Sequence, residues 1–193
     1  HARLDEIAPG LACRRLRRPS HLAQARTPMI DVVKDVLARV PGPPEQIIVL
    51  LQPTQPFRKP THIHVALKMY EEHPSGNPVV SITAVPQGLN PAFMCWIGEL
   101  SGYLCPFDVK RGLLGGDPRD WSEVPRRRQD QPTEFYVRDG TVYVFRRSTV
   151  ERWGNLYGPC CFPLIIPSEE TCALDTLADW AAAERRMCEL GMV

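Results

Sequence analysis

The stretch LLQPTQPFRKPTHIH, residues 50–64, joins two kinds of pattern. It continues an apolar run, Ile47-Ile48-Val49-Leu50-Leu51, that stops abruptly in glutamine, proline and threonine. A run with no alternation predicts a strand over 46–51 that is buried on both faces, as in a parallel sheet. Beyond the loop, Pro60 and the spacing of Ile63, Leu67 and Tyr70 predict a helix from Pro60 or Thr61 to about Glu72. A buried strand that feeds a helix through a short loop is half of a crossover unit. In open α/β sheets ligands collect at the carboxyl ends of such strands, and this loop offers Gln52, Thr54 and the cation of Arg58 at one.

The pattern continues on both sides. Upstream, residues 2–8 read as the tail of a helix and Ala12–Leu16 as a short strand, before a polar loop. Thr27 and Pro28 then read as N-cap and first-turn proline of a helix over 28–40, with Ile30, Val33, Leu37 and Val40 on its apolar stripe. Downstream, PVVSITAV at 78–85 is a second buried strand. The succession helix, strand, helix, strand predicts an α/β fold: three α/β/α layers around a mostly parallel mixed sheet. Residues 86–133 break the rhythm with short β-like pieces, many Gly and Pro, and the run Arg126-Arg127-Arg128. Aromatic and β-branched residues on either side of Arg138-Asp139-Gly140 predict a hairpin over 134–146. A strand near 162–166 and a helix over about 176–190 close the chain. Thr176 and Asp179 form a capping-box-like start there, with Trp180, Ala183, Met187 and Leu190 as the expected buried stripe.

Composition narrows the class. The 193 residues suit one domain with a substantial core. With 23 Lys+Arg against 22 Asp+Glu, a net charge of +1 argues against a nucleic-acid or membrane-surface protein. No apolar run approaches the ~20 residues a membrane span needs. Seven cysteines, an odd number with Cys160 and Cys161 adjacent, do not form a disulfide framework. They are expected to be reduced and mostly buried, which points to the cytoplasm.

Three stretches carry chemistry. Read alone, the loop at 52–58 is a β–α turn whose polar groups cap the next helix. RRRQDQP at 126–132 suits a phosphate or carboxylate, which guanidinium groups bind with paired hydrogen bonds, or is a solvated basic loop. Asp175 in ALDTLADW is an N-terminal helix residue or a ligand for a hard cation such as Mg²⁺. His62 and His64 are two apart on a helix and cannot share a metal. His21 and His73 are isolated, and no GxSxG, HExxH or Walker-type loop occurs.

Taken in order, LLQPTQPFR, then RRRQDQP with FYVRDGTVYVF, then LDTLADWAAAE resemble the N-acylneuraminate cytidylyltransferases, or CMP-sialic acid synthetases. RPSHLAQARTPMID at the start is also similar, so the resemblance covers nearly the whole chain. It implies a nucleotide-diphospho-sugar-transferase-like fold. It also implies reaction of CTP with a nine-carbon 2-keto sugar acid, giving CMP-sugar and pyrophosphate with Mg²⁺. By the same resemblance Gln52, Thr54 and Tyr136 would face the sugar, with Arg58 supporting the loop. Arg127, Arg128 and Gln129 would meet the sugar carboxylate or the nucleotide phosphates, and Asp175 would hold Mg²⁺. The excursion at 91–132 within the single 1–193 domain would be an arm that makes a homodimer.

The chain departs from that family in specific places. The strand-end loop usually reads QPTSPLR, so Gln55 and Phe57 stand in place of Ser and Leu. The later acidic motif is often Asp-Ile-Asp-Thr, and here Ala173 replaces the first aspartate. The family's opening strand and its Gly/Arg/Lys-rich CTP loop have no counterpart, and a start at His1 fits an N-terminally truncated domain. Two alternatives therefore accompany the expectation of a sialic-acid-type cytidylyltransferase. One is the same chemistry on 3-deoxy-octulosonic acid or a phosphonate, and the other is a non-catalytic paralogue acting as a binding or assembly subunit.

Overall fold

The computed structural model describes residues 14–73, 75–91, 94–97, 104–106 and 134–191. The elements in chain order are α1 (Met29–Arg39), β1 (Ile47–Leu50), α2 (Pro60–Glu72), β2 (Val79–Ala84), β3 (Cys95–Ile97), β4 (Leu104–Pro106), β5 (Tyr136–Arg146), α3 (Arg147–Trp153), β6 (Phe162–Ile165) and α4 (Leu177–Glu189). Four strands form one sheet in the order β1-β5-β2-β6. The pairs β1–β5 and β5–β2 are antiparallel and β2–β6 is parallel. Three strands thus run one way and β5 runs against them, so the sheet is mixed.

Alternation along β5 splits the core between the sheet's two faces. Tyr143 and Phe145 pack with Val33 and Leu37 of α1, Val80, Val150 of α3 and Leu156. Val142 and Val144 pack with Ala66 and Tyr70 of α2, Val79, Leu164 and Ile166. Helices therefore cover both faces, which is the α/β layering the sequence predicts.

Several expectations are corrected. The expected hairpin over 134–146 is instead one strand, Tyr136–Arg146, because the Asp139-Gly140 turn is absorbed as a bulge. Val80 of β2 pairs with Tyr143 while Ile82 pairs with Arg138, so β5 carries extra residues opposite Ser81. Gly140 adopts φ +78° there, and the Ser81 hydroxyl accepts the Val142 N–H at 2.9 Å. β1 is not buried on both faces: Ile47 is 42% exposed, and among the described residues the strand pairs with β5 alone. Arg14–Leu16 form no strand, and the adjoining Arg17 carbonyl instead accepts from Arg39 of α1 at 2.9 Å. Thr27 does not cap α1, since its hydroxyl accepts from Gln24 N–H and Pro28 occupies the cap position.

The helix faces are also shifted. α2 buries His62, Ala66 and Tyr70 most deeply, with Leu67 of the expected face packed partly buried against the same core and Ile63 half-buried. α4 buries only Ala183, leaving Trp180 and Leu190 more than half exposed. It docks through Arg186, whose guanidinium lies 4.6 Å from the Phe57 ring centre and donates to the Thr171 carbonyl at 3.0 Å. The capping box of Thr176 and Asp179 is present as expected. Cys95, Cys160, Cys161 and Cys188 are exposed and Cys172 is half-buried, against the expectation of burial. Within the expected excursion, β3 and β4 form a two-stranded sheet, while 107–133 lie outside the described residues. So does the expected helix tail at 2–8. Among the described residues no helix is long and apolar enough to cross a membrane.

Arg147 joins α1 to the sheet. It is 5% exposed and donates to the Leu37 carbonyl at 2.9 Å, to the Val40 carbonyl and to Gln46 Oε1 at 3.3 Å. Two carbonyls at the end of α1, which have no partner within a helix, are thereby satisfied. Arg147→Ala is expected to cost about 3 kcal/mol, since charged hydrogen bonds are lost and buried carbonyls are left bare. Urea unfolding measures it, and an unchanged midpoint would contradict this role.

Candidate active site

A cavity of about 510 Å³ opens where the β1 loop, the β5 bulge and the segment before α4 converge. Gln52 and Thr54 reach it from the first, Arg138 and Asp139 from the second, and Asp175 from the third. Asn155 and Tyr157 form its far wall.

Each segment is held by polar bonds. Arg58 turns inward, its Nε donating to the Thr141 carbonyl at 2.6 Å and its Nη2 to the Gln52 carbonyl. Burial pulls its pKa down, and the charge of Asp139 opposes that shift. Gln52 lies against Gly140, where an added Cβ would sit 2.4 Å from its Oε1. The Asp139 carboxylate is used locally, accepting from the Thr141 N–H at 3.2 Å and from its hydroxyl. Across the cavity, Arg138 donates to the Tyr157 hydroxyl and its guanidinium lies 5.1 Å from that ring's centre. Asn155 Oδ1 accepts from the Tyr157 and Gly158 N–H groups, both at 2.8 Å, which fixes this wall.

Asp175 is exposed to the cavity, and its carboxylate makes no hydrogen bond among the described residues. Its backbone N–H donates to Asp179 Oδ2 at 3.2 Å. Hydrogen bonds from the Thr176 hydroxyl and N–H hold the Asp179 carboxyl below its ordinary range. No group of three or more His, Cys, Asp or Glu able to hold a metal occurs among the described residues. A single free carboxylate suits a hard cation that takes its other oxygens from water and substrate phosphates.

The structure thus brings Gln52, Thr54 and Asp175 to one cavity, with Arg58 behind the loop. Tyr136 stands apart: it is exposed, and its hydroxyl donates to Glu134 at 2.7 Å. Arg127, Arg128 and Gln129 lie outside the described residues. Sequence reasoning missed Arg138 and Tyr157, and the signal for Arg138 was the Asp-Gly pair beside it, read as a turn. It also dismissed His62, which is 8% exposed at its side chain and bonded through Nε2 to Glu170 at 2.7 Å. The Lys59 N–H donates to His62 Nδ1 at 3.3 Å, which leaves the ring proton on Nε2, toward Glu170.

No family model matches the sequence. CMP-N,N'-diacetyllegionaminic acid synthase of Legionella pneumophila subsp. pneumophila strain Philadelphia 1 is 29% identical over 141 residues, covering 72% of this chain and 53% of the relative. A solved structure of CMP:2-keto-3-deoxy-manno-octonic acid synthetase complexed with CTP superposes with a TM-score of 0.52 at 13% identity, covering 88% of this chain and 70% of that one. Both matches are to CMP-sugar-acid synthetases, which this chain resembles. It spans about half the length of the curated synthase it matches, and the structural likeness shows a shared fold. The cavity sits beyond the carboxyl end of β1, where ligands of α/β sheets collect.

Two expectations follow from this geometry. Gly140→Ala is expected to cost about 1–3 kcal/mol, because the residue has positive φ and its Cβ would displace Gln52. Chemical denaturation reads the cost. Glu170 is held below its ordinary pKa, first by the Lys59 hydrogen bond and then by that of His62. A depressed carboxylate stabilises the fold above the unfolded pKa and loses that contribution as pH falls through the folded value. The melting temperature should therefore drop below about pH 4, and Glu170→Gln should flatten the drop. An equally steep fall in the variant would exclude this pair as a cause.

Proposed function

We propose that the chain carries the sugar-acid side of a cytidylyltransferase that activates a sialic-acid-type nonulosonic acid with CTP. The observation that carries this reading is the meeting of Gln52 and Thr54 with Asp175, far from them in sequence, at one cavity. The likeness to a diacetyllegionaminic acid synthase favours a nine-carbon acid over 3-deoxy-octulosonic acid.

The anomeric hydroxyl of the sugar attacks the α-phosphorus of CTP. An O–P bond forms, the bond to the β-phosphate oxygen breaks, and pyrophosphate leaves with its electron pair. Such a transfer needs in-line placement and neutralised charge, and no covalent intermediate with the protein. Gln52 and Thr54 offer the amide and hydroxyl groups that orient sugar hydroxyls. Arg58 keeps their loop in place from behind. Arg127, Arg128 and Gln129 take the carboxylate or phosphates. Asp175 would hold Mg²⁺, which when bound supplies charge neutralisation on the triphosphate. The 91–132 excursion makes a homodimer contact, and the enzyme works in the cytoplasm.

The test is to incubate the full chain with CTP, Mg²⁺ and a panel of nonulosonic, octulosonic and phosphonate acids, following pyrophosphate release. CMP-sugar from a nonulosonic acid is the expected product. Release from none of them would favour a non-catalytic subunit, the reading to which Ala173 at the cavity lends weight. Asp175→Asn should lower turnover about 100-fold or more with little change in melting temperature, because the carboxylate has no structural partner among the described residues. Near-normal turnover would remove Asp175 from the metal role.

A further inference from the structure

Gln55 is 4% exposed, and its amide is used at both ends. Its Nε2 donates to the Asp139 carbonyl in the β5 bulge. Its Oε1 accepts the Cys172 N–H at 3.2 Å. Two residues on, the Leu174 N–H donates to the Thr54 carbonyl at 3.0 Å. The segment ahead of α4 is therefore pinned to the β1 loop by alternate N–H groups, one bonded to a side chain and one to the backbone. Asp175 follows directly. Gln55 alone joins all three segments of the cavity wall through one side chain among the described residues.

A glutamine amide donates from one end and accepts at the other, and the two backbone partners here demand both. Methionine has similar length and neither capacity. A charged glutamate can accept from Cys172 and places lone pairs against the Asp139 carbonyl. We propose that Gln55 is a positioning residue that sets Asp175 in register with Gln52 and Thr54, and so fixes the alignment of phosphate and sugar acid. This rests on the cytidylyltransferase reading above. Displacement of a reacting group by about 1 Å costs on the order of 100-fold in rate, so the bonds from Gln55 matter far more to turnover than to overall stability.

The experiment compares wild type, Gln55→Met and Gln55→Glu as full chains, by pH-dependent CMP-sugar formation and by amide hydrogen exchange. Gln55→Met should lose about 10- to 100-fold in kcat at every pH. Its Cys172 and Leu174 amides should exchange faster, with Val79–Ala84 unchanged. Gln55→Glu should be impaired at pH 8 and recover relative to wild type toward pH 6, because burial raises the carboxyl pKa and the neutral acid regains a donor for Asp139. Wild-type rates in both variants with unchanged exchange at Cys172 and Leu174 would overturn the proposal. So would equal losses at all pH with faster exchange throughout β2 and β5, which is general destabilisation. A wild-type chain inactive with every acid would instead remove the enzymatic reading, and exchange at Cys172 and Leu174 would still decide whether Gln55 holds the segment.

Discussion

The site depends on one fault in strand pairing. β5 runs between β1 and β2, and where it carries extra residues opposite Ser81 its backbone leaves the ladder. The Asp139 and Thr141 carbonyls then face the β1 loop and receive Gln55 and Arg58. Gly140, with positive φ and no Cβ, leaves room for Gln52 to lie across it. β1 ends at Leu50 opposite Tyr143, so the β1 loop and not a strand meets these carbonyls. The aspartate satisfies the local N–H and hydroxyl of Thr141, so the distortion carries its own polar partners.

Stability and site geometry are carried by different interactions. Val142 and Val144 on one face and Tyr143 and Phe145 on the other are buried against helices, and this apolar burial drives folding. One side of the cavity is the core itself, lined by Met29, Ile30, Tyr143 and Leu156. The β1 loop, the β5 bulge and the segment before α4 are joined to one another by directed bonds, through Arg58, Gln55 and the N–H groups of Cys172 and Leu174. Hydrogen bonds add modest net stability and strict direction.

Much of the fold was legible because period and punctuation agree at the same residues. The helices Met29–Arg39, Pro60–Glu72 and Leu177–Glu189 fall where apolar spacing places them, and Pro60 and Thr176 mark the starts of the last two as local chemistry requires. What was hidden is what depends on contacts distant in sequence. The Asp139-Gly140 pair has the composition of a hairpin turn, and only its partners on β1 and β2 make it a bulge. β1 lacks alternation, yet it lies beside β5 with Ile47 exposed, because apolar content says nothing about which strand comes next in space. Trp180 looked like core on its helical spacing, whereas α4 docks through Arg186 on Phe57. At the cavity, Gln52, Thr54 and Asp175 were visible from residue type and position. Arg138 and Tyr157 were not, since their pairing joins the strand to a turn well beyond it.

The place of β5 also bears on how the molecule comes into being. β1 and β2 do not touch each other as strands, and each finds its partner in a segment made much later, with Ile47 opposite Arg146 and Val79 opposite Val144. Until β5 leaves the ribosome, α1, β1, α2 and β2 hold apolar surface with no sheet to close on. Pairings of such long sequence separation are slow to form and leave strand edges open meanwhile. The same strand that shapes the cavity is therefore the clasp that joins β1 to β2, so the site and the sheet take form around one segment.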